Sequence, residues 1–472
     1  MSVLNKLEQM IQKEKELSTL SKNEIAELLN TTPEALAAFE KTYKKEIIEN
    51  PNIPENFFKI NAKQATKLNK KNINKDRIIL DLTERIVSEL LSQTTSYIYD
   101  GKDGFYHSFN IDIRNPVTLE EILSVPEDLR PQLSGNLIKK DIEGDSCVSL
   151  LQNWKEYKTN KNPKIRQMNY HMFRQGLDIL DLDPITYKMI EMNPNSIGFW
   201  LPELVEAAKC QNFFKISKTT VIKVPITLLQ LTRIDYQNLT PATIKILDEY
   251  CMKAFDLDIN EEYFIKTGTY SSKFDFRNAY VKGEKEVREL GEYLMFIHFQ
   301  ALQMASPLST PCIYGVSTTN EWVVREFIKD KENSPSIYMG LPLHTEYRVF
   351  VDFDTDEILG ISPYWEPETM KKRFGNSCDS NDPDKIHDYI IYQMHEETLM
   401  KRYQDYKSTV LTQIENLIPN INLPGQWSID IMQNGEDFYI IDMALAVNSA
   451  LNEYIPKGKL TQRNENWIPE IK

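Results

Sequence analysis

Residues 427–447 read WSIDIMQNGEDFYIIDMALAV, and this stretch decides how the C-terminal half of the chain folds. Two apolar runs flank Asn434-Gly435, a dipeptide suited to the tight turns that join antiparallel strands, so the segment reads as strand, turn, strand. Each run carries one acidic residue, Asp430 after WSI and Asp442 after YII, twelve residues apart. That spacing lets both carboxylates occupy corresponding places on paired strands. Buried side by side they repel, and the usual remedy is a cation such as Mg²⁺, which takes carboxylates together with phosphate oxygens.

Working outward, the texture past Asp183-Pro184 alternates strand-like and helical segments, which predicts α/β construction. FFKISKTTVIKV (213–224), EEYFIKTG (261–268), EWVVREFIK (321–329), EYRVFVDFD (346–354) and EILGISPYW (357–365) read as strands, the last two joined as a hairpin at Thr355-Asp356. TPATIKILDEYCMKAFDL (240–257), capped by Thr240-Pro241, reads as an amphipathic helix, as does ELGEYLMFIHFQALQM (289–304). Residues 385–418 read as one long helix or a pair.

Charged residues inside strand patterns single themselves out because burial costs them so much. Lys266 ends the apolar strand YFIK, and a small-polar loop follows it to Lys273. Such a loop can offer hydroxyls, backbone N–H groups and two ammonium charges to a polyphosphate. Arg325 and Glu326 sit beside Phe327 and Ile328, and Glu346 and Arg348 share one strand face. A plain cross-strand ion pair accounts for Glu and Arg on neighbouring strands equally well.

Taken in chain order, a strand-end lysine, an Arg/Glu-bearing hinge strand, an E-x-R strand and a late Asp pair resemble the ATP-grasp superfamily. Within it the sequence is most similar to the branch of initiation-factor-two assembly chaperones of the cell-division-cycle type. KTGTYSSKFDFRNA (266–279) resembles that branch's phosphate loop, VVREF (323–327) its hinge strand, EYRVFV (346–351) its E-F-R-x-F-V strand and ISPYW (361–365) the segment after it. WSIDI and FYIIDMA resemble its two metal-binding strands, and residues 195–222 the small α/β segment that precedes many ATP-grasp domains; the likeness covers about 190–455.

The resemblance implies ATP and Mg²⁺ as cofactors. It makes Lys266 and Lys273 phosphate ligands and puts Arg325, Glu326, Phe327 and Ile328 at the nucleotide-binding hinge, with Glu346 close by. Arg348 would be the catalytic contact to the γ-phosphate or to the product of its transfer, and Asp430 and Asp442 would hold the metal. The chain departs from the pattern at Phe274, which displaces Asp275 by one place, and at Ala444, where the family has an asparagine; Asn448 is the candidate substitute as a metal ligand. The activity implied is that of an ADP-forming carboxylate–amine ligase acting through an acylphosphate on an amino-acid, peptide or protein acceptor. The alternative is an ATP-dependent protein assembly or binding factor with little or no turnover.

The fold class expected is therefore α/β (α+β), with an ATP-grasp-like C-terminal domain and a mainly helical N-terminal region. The organisation expected is a helical region at 1–60, a mixed and mainly helical region at 61–185, a small α/β segment at 186–255 and the nucleotide-binding domain at 256–472. Ser21 and Glu24 form a capping box, and the two short helices around Asn30-Thr31 read as a helical hairpin in preference to a DNA-reading helix-turn-helix.

Composition sets the outer limits. The 472 residues suffice for about three domains. The 55 Lys and Arg against 69 Asp and Glu give a net charge of −14, which disfavours nucleic acid and anionic lipid as partners. Neither GxxxxGK[ST] nor GxGxxG occurs, which excludes a P-loop and a Rossmann fingerprint. Five dispersed cysteines form no metal spacing and read as reduced thiols. With no apolar signal core and no membrane-length apolar run, a cytoplasmic location is expected. Asp352, Asp354 and Asp356 mimic the start of a calcium loop but lack its later glycine and glutamate, so they read as a solvated hairpin turn.

Overall fold

The computed structural model describes residues 75–115, scattered positions between 117 and 190, and residues 193–461 apart from 233–235, 305–318 and 376–382. The helices read at 1–60, with their hairpin, lie outside the described residues.

Helix α1 (Lys75–Ser92) opens the described chain and leads into the hairpin β1 (Thr95–Tyr99) and β2 (Gly104–Ser108). Then come α2 (Ile197–Ala208), β3 (Phe214–Lys215) and β4 (Thr219–Lys223), so the segment 213–224 is two strands rather than one. Helix α3 (Pro241–Ala254) starts where the Thr240 hydroxyl accepts from the Thr243 N–H, and ends before Asp256, which adopts a left-handed φ of +50°. Strands β5 (Glu262–Thr267) and β6 (Tyr280–Lys282), helix α4 (Leu290–Met304) and strand β7 (Glu321–Glu326) complete one layer.

The short hairpin β8 (Ser336–Ile337) and β9 (Leu341–Pro342) leads to β10 (Thr345–Asp352) and β11 (Glu357–Pro363). Helix α5 (Pro367–Gly375) is followed by α6 (Pro383–Leu417), one continuous 35-residue helix about 52 Å long at 1.5 Å per residue. The chain returns through β12 (Gln426–Asn434) and β13 (Asp437–Leu445), joined by Gly435 at φ +66° and Glu436.

Two sheets result, one ordered β2-β1-β4-β7-β5-β6 and the other β11-β10-β12-β13-β3. The protein is thus mixed α/β, as its alternating segments predict. The region read as mixed and mainly helical (61–185) contains the β1–β2 hairpin: β1 pairs antiparallel with β4 from Thr95↔Lys223 to Tyr99↔Thr219. Its aromatic, β-branched TSYIY suits a pleated surface, a signal overshadowed by the helical periodicity just before it. Residues 163–169 are helical.

Alternation along the strands divides each sheet into two faces. In the first sheet Ile222, Ile265, Trp322 and Val324 pack against α1, α3 and α4. The opposite face looks towards the second sheet. There Val221 and Val323 join Trp200 and Leu201 of α2, Val410 and Ile414 of α6, and Tyr347, Val349, Ile429 and Ile431 in a shared core. The cleft is lined by the Val323 face of the first sheet, which carries Phe264, Lys266 and Arg325, and by the second sheet's other face, which carries Glu346, Asp430 and Met432.

In the described hairpin turn after β10, the Asp354 N–H donates to the Asp352 carboxylate at 3.0 Å and Asp356 is left-handed, as a solvated turn requires. Cys251 is buried and Cys210 exposed, both free. Among the described residues no helix is long and apolar enough to cross a membrane.

Candidate functional site

The cleft opens to solvent and has a free volume of about 140 Å³, smaller than the ~300–1,000 Å³ usual for small-molecule sites. One end is apolar: Phe264 and Phe276, Phe327 and Ile328, and Met432 and Ile441 line it. Aromatic packing stiffens that wall, with the Phe327 ring 4.2 Å from Tyr280 between centroids. The hinge after β7 is anchored from both sides, since the Glu326 N–H donates to Lys218 O and the Phe327 N–H to Glu262 O, each at 2.9 Å.

The other end is charged. Lys266, Lys273, Arg325, Glu346, Asp430 and Asp442 all line it. Strand pairing places the carboxylates: Asp430 of β12 is register-paired with Asp442 of β13 on one side and with Arg348 of β10 on the other. The expected juxtaposition of the aspartates is therefore present, and both already have cations. The Arg348 Nε and Nη2 each donate to one Asp430 oxygen at 2.7 Å, a bidentate pair that neutralises a carboxylate only 6% exposed. The Lys266 Nζ lies 3.2 Å from both Asp442 oxygens and so ties the first sheet to the second.

Lys273 donates to the Tyr364 hydroxyl, and the ring of Tyr364 also carries the Arg348 guanidinium 4.7 Å from its centroid. Burial alone depresses the Lys273 ammonium, but Tyr364, Glu346 and Asp430 more than offset it and hold its pKa above the ordinary lysine value. Glu346 accepts from the Trp365 indole at 3.2 Å; burial pushes its carboxyl up to about 7, opposed by Lys273 and reinforced by Asp430. Burial also lowers Arg325, to about 10, against the attraction of Asp442.

The Asn448 side-chain oxygen accepts from Asn195 Nδ2 at 3.3 Å, and Asn448 is not among the residues lining the cleft. The 3₁₀ turn Ala446–Asn448 follows β13, and the chain beyond it lies against the Asp430 face, where Ser449 Oγ is 2.7 Å from Ser428 Oγ and Ala450 O accepts from Arg348. Among the described residues no group of three or more His, Cys, Asp or Glu could hold a metal. The donor set is thus two hard carboxylates, which fits Mg²⁺ only when a ligand's own oxygens complete the shell.

Four contributors escaped sequence reasoning. Tyr364 and Trp365 lie in the quoted ISPYW segment, but nothing in their spacing shows that they hold Lys273 and Glu346. Asn195 ties the end of β13 to the start of α2, its oxygen accepting from the Leu445 N–H at 2.8 Å. Glu321, fully buried, accepts from Ser196 Oγ and Gly198 N at 2.8 Å each and from Lys223, fixing the strand that carries Arg325.

Among solved structures the chain is similar to C-terminally truncated Cdc123 from Schizosaccharomyces pombe, at 12% identity and a TM-score of 0.31, over 55% of this chain and 86% of that one. No family model matches the chain. No curated protein matches it either.

Proposed function

We propose that the cleft binds a nucleoside triphosphate together with Mg²⁺, as in an ATP-grasp protein, with the base against the apolar wall and the phosphates at the charged end. The observation that carries this reading is the convergence of Lys266, Lys273, Arg325 and Arg348 on two register-paired carboxylates. Lys266, Lys273 and Arg325 line the charged end beside Glu346, Asp430 and Asp442, so phosphates would meet cationic partners there while Mg²⁺ meets the carboxylates.

Lys266 and Arg348 now neutralise the carboxylates that would hold the metal. A triphosphate offers both cations a stronger partner, and their transfer to it would release Asp442 and Asp430 to Mg²⁺. The bound ion would supply neutralisation of phosphate charge. The chain's own residues orient the phosphates, and the hinge and aromatic wall hold the base away from water.

If turnover occurs, the reading is an ADP-forming ligase that activates a carboxylate as an acylphosphate for an amino-acid, peptide or protein acceptor. A second reading, an assembly or binding factor with little turnover, is favoured by Arg348. Its Nε and Nη2 hold Asp430 and its Nη1 donates to Ala450 O at 3.1 Å, so all three nitrogens are engaged. Calorimetric titration with Mg·ATP tests the shared premise, and absence of binding at millimolar nucleotide overturns it. ADP release on adding amino acids or peptides then selects the ligase; tight binding without ADP selects the assembly factor.

A further inference from the structure

Asp442 faces the cleft because of an irregularity in its strand. Phe438 and Ile440 of β13 both point into the shared core. Strict alternation would send Asp442 there too and would set Ile441 opposite Asp430. Instead the register steps between Asp430 and Ile431: Ile431 pairs with Ile440, whereas Asp430 pairs with Asp442. Ile441 is the extra residue of a bulge. It and Asp442 both line the cleft, and Met443 returns to the core.

A bulge leaves the extra residue outside the ladder, so its carbonyl needs another partner. Arg325 of the opposite sheet supplies it, with Nη1 donating to Ile441 O at 2.5 Å. The guanidinium is itself fixed by Nε donating to Thr219 Oγ1 at 3.1 Å. Its remaining arm, Nη2, is buried with no hydrogen-bond partner, in a side chain only 4% exposed that lines the cleft. An unsatisfied charged donor in that position is costly unless a ligand meets it.

We propose that Arg325 is the positioning residue that turns Asp442 into the cleft by holding the Ile441 carbonyl, and that its free Nη2 takes an anionic oxygen of the phosphate ligand. This rests on the nucleotide reading of the cleft and extends it: one side chain links phosphate binding to the placement of a metal-binding carboxylate. A lysine in its place would keep the charge but could not span both acceptors.

The test is the affinity of a non-hydrolysable ATP analogue, measured calorimetrically without metal and with saturating Mn²⁺, the ratio of the two reporting the metal contribution. Arg325→Met should lose about tenfold in metal-free affinity, for a charged hydrogen bond of about 1.4 kcal/mol, and its metal ratio should fall to near one. Arg325→Lys should keep metal-free affinity within a few fold yet lose the ratio. Deleting Ile441 removes the bulge while leaving Asp442 opposite Asp430, so that variant should keep the ratio. Arg325→Met in the deletion background should regain the ratio but not the metal-free affinity.

A wild-type ratio in Arg325→Lys, or no recovery in the double variant, overturns the proposal. Where Arg325→Met does not fold, as read by thermal melting, Arg325→Lys against the deletion decides. A wild-type protein that binds no analogue under either condition overturns the nucleotide reading instead, and that result is distinct.

Discussion

Replacing Asp442 by asparagine removes the carboxylate that holds Lys266 but leaves shape and polarity nearly unchanged. Lys266 is 3% exposed, and its Nζ is 3.2 Å from both Asp442 oxygens, while the Asp442 side chain is 44% exposed. The half-open carboxylate is screened by solvent, so the pair is worth less than a buried one; about 1 kcal/mol is the appropriate scale. That energy must be given up before Lys266 can turn to a phosphate. Asp442→Asn should therefore bind ATP about fivefold more tightly in the absence of metal, since 1.4 kcal/mol is tenfold. Added Mg²⁺ should help it little. Without ligand the variant should melt earlier than the parent, because a buried ammonium has lost its counter-charge. Calorimetry with ATP in EDTA and then in Mg²⁺ reads both effects. Weaker metal-free binding in Asp442→Asn, or an undiminished response to Mg²⁺, would refute the reasoning that these residues exchange partners.

Other expectations follow from the same geometry. The Glu346 carboxyl is raised from 4.5 to about 7, so its contribution to folding is complete below about pH 4.5 and is lost as pH rises through 7; Glu346→Gln should abolish this decline, up to about 1.4 kcal/mol per pH unit, in ligand-free melting curves from pH 4 to 8.5. Lys273→Met should weaken nucleotide binding by about ten- to a hundredfold, the worth of one charged contact, with nucleotide titration as the readout. A side chain at Gly268 would run into the buried Ser196, Thr319 and Glu321 oxygens, so Gly268→Ala should cost about 1–3 kcal/mol in denaturant unfolding and loosen the loop after Lys266.

Much of the strand order past residue 213 was legible because these strands are bounded by sharp changes of period, and the charges inside them are rare enough to notice. Lys266, Arg325, Glu346, Asp430 and Asp442 could be picked out individually on that ground. Their partners could not. That Arg348 would clasp Asp430 follows only once β10 and β12 pair in register, and that Tyr364 would hold Lys273 follows only once the two sheets face each other. The β1–β2 hairpin was missed because its five-residue strands are short beside the 18-residue helix that precedes them. Asn448 was offered as the substitute for the asparagine missing at Ala444, and the turn at 446–448 sets its side chain against Asn195.

The hairpin WSIDIMQNGEDFYIIDMALAV shows where the division lies. Apolar content and the turn glycine are local properties, so the sequence by itself determined two strands, each with one carboxylate. It could not determine that the carboxylates meet, since continuous register about the Gly435 turn would oppose Asp430 to Ile441 and bury Asp442 among apolar side chains. The tertiary structure decided that, through a bulge whose loose carbonyl is taken by an arginine 116 residues away on the other sheet. A backbone group excluded from its own ladder must find a donor elsewhere, and only the folded arrangement of the two sheets provides one.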